Sequence, residues 1–151
     1  MKPALPYSLV GPVASGFFLT LFSTLPAAAR DCWDLHGEWT TNLGATVSFD
    51  NIDRESGQIT GRYFPKSLPE RSFPLTGFVN SNGRETGDRH YAVAVTFAVS
   101  FAEFGGITSW SGICRMEAEA PVIDTEDLII APMADYVWSH VINNHDTLKP
   151  K

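Results

Sequence analysis

"HYAVAVTFAVSF" runs from His90 to Phe101, and its reading decides the architecture. Along an extended chain, successive side chains point to opposite faces. Tyr91, Val93, Val95, Phe97, Val99 and Phe101 therefore share one face, and all are large and mainly apolar. The other face carries His90, Ala92, Ala94, Thr96, Ala98 and Ser100, which are small or polar. This period of two reads as a strand with one buried face. "AEFGG" (Ala102–Gly106) breaks the run, and "ITSWSGIC" (Ile107–Cys114) follows. Here Thr108, Trp110, Gly112 and Cys114 share a face, with Ser109, Ser111 and Ile113 opposite. Neither face is a plain core stripe or a plain solvent stripe. Trp110 has a hydroxyl on one side and a cysteine further along, which raises the question of what it faces.

Working outward, the same pattern recurs. "GEWTTNLG" (37–44) leads to "ATVSFDNID" (45–53), then the turn "RESG", then "QITGRYF" (58–64). The loop "PKSLPERS" separates that run from "FPLTGFVN" (73–80), which ends in the turn signal "SNGRETGD". "TEDLIIAPM" (125–133) and "VWSHVINNHDTLK" (137–149) complete the chain. These make about eight short strands at close spacing, with no convincing amphipathic helix, the pattern of an all-β sandwich or an up-and-down barrel. Eight strands closed into a barrel leave no edge to protect and enclose room for one small ligand.

The first residues belong to a different class. Lys2 precedes a mostly uncharged run ending in "FFLTLFSTLPAAA", and Ala27 and Ala29 form a small-x-small cleavage pattern before Arg30. Residues 1–29 read as a secretory signal peptide, leaving one domain over 30–151. Pro12, Gly16 and Pro26 interrupt the run, which is also short for a membrane span. The exported chain is expected outside the cell (in the periplasm, for a bacterium) and free of the membrane after cleavage.

The whole chain holds 11 Lys and Arg against 17 Asp and Glu, and the leader removes only Lys2. The acidic surface offers no basic stripe for phosphate backbones, which excludes nucleic acid as an expected partner. Two cysteines survive, Cys32 and Cys114. In an exported chain two cysteines more often pair than stay free, the alternative being two separate buried thiols.

Six motifs now line up in one order. They are "GEWTTNLGA" (37–45), "GQITGRY" (57–63), "PLTG" (74–77), "TSWSG" (108–112), "DTEDLII" (124–130) and "WSHVINNHD" (138–146). Together they resemble the avidin/streptavidin family of biotin-binding barrels over nearly the whole mature chain. The resemblance implies an eight-stranded antiparallel up-and-down β-barrel. It also implies non-covalent biotin binding inside the barrel, and a homodimer or homotetramer whose pockets close across an interface. Cys32 and Cys114 sit where egg-white-type members carry their intrachain disulfide.

Family roles transfer residue by residue. Tyr63 matches the hydroxyl donor to the ureido oxygen, and Asp146 the acceptor of a ureido N–H. Thr108 matches the threonine near the ring sulfur, Trp110 a wall tryptophan, and Phe101 an aromatic wall position. Trp39 and Thr41 are expected to support these contacts. Trp138 matches the tryptophan lent by a neighbouring subunit. Such a pocket suits biotin because aromatic walls take its apolar surface while a few polar groups pair its ureido ring.

The departures matter as much. Thr41 replaces an asparagine that contacts the ureido oxygen, and Ala45 replaces a serine that does the same. Asp127 stands where a second wall tryptophan is expected, and Pro65 and Gly106 stand where hydroxyl residues often hold the ligand. Biotin binding weaker than that of typical members is therefore expected, to be tightened by serine at 45 and tryptophan at 127. An unpaired buried carboxylate is costly, so Asp127 is expected to face water, a cation, or a loop Arg or Lys. The departures also leave room for a different, more polar ligand. A barrel filled by its own side chains, acting in structure or interaction, is the third reading.

Enzymatic chemistry finds no support in the residues. There is no G-x-S-x-G, H-E-x-x-H or C-x-x-C pattern. His140 and His145 are five apart, on opposite faces of a strand, and His36 beside Glu38 is a weak pair. Neither a catalytic residue, a metal nor a cofactor is expected.

Overall fold

A computed structural model describes residues 31–80 and 92–151. The expected signal peptide and the readings of His90 and Tyr91 lie outside the described residues. The strands are β1 (Gly37–Thr41), β2 (Thr46–Ile52), β3 (Gln58–Phe64) and β4 (Phe73–Val79). They continue with β5 (Val93–Phe101), β6 (Gly106–Glu117), β7 (Ala120–Ile130) and β8 (Val141–Pro150). Each strand pairs antiparallel with the next, and β8 pairs back onto β1 through Thr41↔Leu148 and Trp39↔Pro150. The sheet is thus a closed barrel in simple sequence order, which decides between barrel and sandwich.

Alternation sets what faces inward. On β5, Val93, Val95, Phe97 and Val99 are buried, while Ala94, Thr96 and Ser100 alternate with them. On β6, Thr108, Trp110 and Cys114 are buried, and Ser111 and Ile113 point outward. Gly112 falls on the inward face by alternation, and the paired strand β7 runs too close there for a side chain. A Cβ there would lie 1.8 Å from the Asp124 carbonyl oxygen.

One end of the barrel is sealed. Cys32 and Cys114 form a disulfide that ties the N-terminal segment to β6. Its loop is long, and the chain-entropy model gives such a cross-link at most about 4–5 kcal/mol. Leu35 plugs this end, and the Trp39 indole N–H donates to its carbonyl at 2.9 Å. The opposite end is the mouth, rimmed by the β1–β2, β3–β4, β5–β6 and β7–β8 connections. There Arg71 pairs with Glu103 and lies over the Phe104 ring, linking two rim loops.

The run 137–149 divides. Val137–His140 forms a short 3-10 turn, and only Val141 onward is strand. No apolar period marks that break. The turn is held by local hydrogen bonds, among them Ser139 N–H to Tyr136 O at 2.9 Å.

Candidate functional site

An aromatic stack builds the interior of the mouth. Phe97 and Trp110 are register partners on β5 and β6, so their side chains lie side by side. Their rings stack 5.0 Å apart at 16°. Tyr63, at the end of β3, covers the other side of Trp110 with ring centroids 5.5 Å apart. Phe101 meets Tyr63 edge-on at 5.7 Å and Phe73 at 4.9 Å. Trp110 is therefore nearly inaccessible, while Tyr63 and Phe101 are half-buried and form the surface that an entering molecule meets.

Polar groups converge on this stack. Asp146, on β8, is 3% exposed. Its Oδ1 accepts from the backbone N–H of Asn42 at 3.0 Å and of Thr147 at 2.9 Å. Those bonds fix the carboxylate against the β1–β2 turn. Thr41 is buried in the same turn, and its hydroxyl accepts from the Ala45 N–H at 3.2 Å. A hydroxyl that accepts keeps its own proton to donate. Burial, with the Asp146 and Asp127 carboxylates nearby, pushes the Tyr63 hydroxyl above its ordinary value. Tyr63 thus stays protonated and remains a donor.

Asp127 is not where it was expected. It is 3% exposed, inside the barrel, at the register position beside Trp110. Burial first, then the Asp146 charge, pushes its pKa upward, and a hydrogen bond from Asn144 opposes this. Among the described residues two buried side-chain polar atoms lack a hydrogen-bond partner: Asp127 Oδ1 and Trp110 Nε1. Both belong to this pair. An unpaired buried polar atom in a native fold asks for an explanation such as a ligand or a water.

The remaining expected residues divide. Thr108 is buried on β6, and with Phe101, Phe104, Ile107, Ile129 and Met133 it lines a groove of about 300 Å³ at the rim. Trp39 is fully buried against Phe49, with its N–H satisfied by Leu35, and serves the sealed packing. Trp138 is 77% exposed and stacks on Tyr136 at 4.9 Å, away from its own barrel's interior stack. A larger cleft of about 390 Å³ lies at the sealed end, beside Cys32 and Arg54. None of Tyr63, Thr108, Trp110 or Asp146 lines it.

Three contributors escaped sequence reading. Phe97 was placed on the correct face but not at the site. Asn144 acts through the β7–β8 register, which no local pattern announces. Asn42 acts through its backbone N–H, where side-chain identity carries no signal. The His140 Nδ1–H donates to the Ala131 carbonyl at 2.7 Å, and His145 pairs with Glu126 on the outside.

The family model described as the Avidin family matches residues 29–151. The crystal structure of Xenavidin superposes with a TM-score of 0.64 at 22% sequence identity, covering 81% of this chain and all of that one. No curated protein matches the sequence.

Proposed function

Since this chain belongs to the avidin family, we propose that its barrel binds biotin non-covalently at the mouth, without catalysis. One observation carries the reading: the Tyr63 donor and the Asp146 acceptor are both held beside the Trp110 stack. Tyr63 and Thr41 donate to the ureido oxygen, and the free lone pairs of Asp146 take a ureido N–H. Phe101 and Tyr63, backed by Trp110, remove the bicyclic ring from water, with Thr108 near its sulfur. Ala45 has no hydroxyl to add, and Asp127 meets apolar ring atoms with a carboxylate. Both reduce affinity below that of typical members.

The partner surface is proposed on the same footing. Ile107, Ile130 and Val141 are neighbours across β6, β7 and β8, and all three are exposed on the outside. Apolar surface of this kind marks association sites. Stacked and exposed, Trp138 and Tyr136 sit on the adjoining turn, which supports a homodimer or homotetramer with Trp138 closing a neighbour's pocket. Export is supported by the disulfide, which persists in oxidising compartments. Among the described residues no helix is long and apolar enough to cross a membrane.

The test is calorimetric titration of biotin into the oxidised mature protein and a Tyr63→Phe, Asp146→Ala double variant. The expected result is one biotin per chain, with affinity at least about 100-fold lower in the variant, from two lost hydrogen bonds. Absence of binding to the unaltered protein would overturn the reading.

A further inference from the structure

Among the described residues, the interior of the mouth holds two buried carboxylates and no buried basic side chain. Asp127 and Asp146 are the buried charged side chains among the described residues, each 3% exposed. The basic side chain that acts on Asp127 is His145, which is exposed and paired with Glu126 at 3.2 Å. Asp146 is anchored by two backbone N–H groups. Asp127 has its Asn144 partner but keeps Oδ1 buried and unpaired. Its register partner is Trp110, whose ring lies 5.5 Å from that of the half-buried Tyr63. Two acceptors of one sign against aromatic faces form the surroundings that favour a cation with N–H donors.

We infer that the Asp127–Asp146 corner is a cation subsite, selecting a ligand whose head ring is a cyclic guanidinium over one whose ring is a neutral cyclic urea. This rests on the reading that the mouth holds a biotin-like head group. The guanidinium offers charge-assisted N–H donors to both carboxylates, including the unpaired Oδ1. It spreads its charge over a plane that stacks on the half-buried rings of Tyr63 or Phe101. A neutral urea gives Asp127 no charge to offset, so ionising this carboxylate beside it remains costly. Tryptophan at this position would wall the pocket with apolar surface and reverse the preference.

The test titrates two ligands at neutral pH: biotin, and 2-iminobiotin, in which an imino nitrogen replaces the ureido oxygen and the ring is protonated. Each is measured on the unaltered protein, on Asp127→Asn and on Asp127→Trp. The unaltered protein is expected to bind 2-iminobiotin at least about tenfold tighter than biotin. In both variants that ratio should fall by at least about tenfold. Asp127→Asn keeps the shape of the side chain, so the test survives if the tryptophan variant does not fold. Biotin binding with a ratio that favours biotin, or is unchanged in the variants, overturns the cation subsite and leaves the biotin reading standing. Binding of 2-iminobiotin alone supports the subsite and overturns biotin as the ligand. Binding of neither overturns both.

Discussion

Tyr63 shows how much a single atom is asked to do. Its ring packs on Trp110 and Phe101, and its contribution to folding rests on those ring contacts. Tyr63→Phe should therefore leave the melting temperature within a degree or so and weaken biotin about tenfold, measured by scanning calorimetry and titration. Asp127 has the opposite character, since it burdens the empty barrel. Its pKa is raised, first by burial, so between the ordinary carboxylate value and the raised one the folded chain holds a proton that the unfolded chain releases. Stability from this group is intact below the ordinary carboxylate range and is lost as pH rises through the raised value. Asp127→Asn should thus melt higher than the unaltered apo protein at neutral pH, and the difference should vanish in acid. The sequence showed that Asp127 was out of place, but its burial depended on register with Trp110, which no local pattern reveals. Trp39 and Trp110 make the same point. Both occupy inward positions of strands, and only tertiary placement separates a core tryptophan bonded to Leu35 from one with a free indole N–H at the mouth.

Among the elements, the β6–β7 hairpin is a place where local chemistry works against the fold. Glu117 pairs with Ala120, so Ala118 and Glu119 form a two-residue turn. Both have positive φ, 47° and 71°, which such hairpins demand and which neither residue favours. Replacing the pair by Asn-Gly should stabilise the protein by about 1–2 kcal/mol in denaturant unfolding, with ligand binding unchanged. This turn carries no Gly or Asn to announce it in the sequence. The strands themselves were legible because a barrel open to solvent outside imposes a period of two, as β4 and β5 show in their burial. The break at Val137–His140 was not, because a short 3-10 turn needs no periodic signal.

For the whole molecule, closure is the property that the strand pattern alone left open between sandwich and barrel. β1 contributes three pairs to the closing seam with β8, and the disulfide and Leu35 hold the sealed end beside it. What closure does not cover is the outer face of β6 to β8. Ile130→Glu places a charge in the exposed row between Ile107 and Val141. Sedimentation velocity should find the unaltered protein as a dimer or tetramer and this variant shifted toward a smaller species. An unaltered protein that sediments as a monomer at micromolar concentration would remove the assembly and the role given to Trp138.

On this reading the barrel holds its ligand by the head group, inside the mouth. The direct measurement is a crystal structure of the oxidised protein soaked or grown with biotin. The ureido oxygen is expected within hydrogen-bond distance of the Tyr63 hydroxyl and a ureido N–H on Asp146, with the ring against Tyr63 and Phe101. Biotin found only in the cleft beside Cys32 and Arg54, or a mouth filled by its own side chains at saturating biotin, would contradict it.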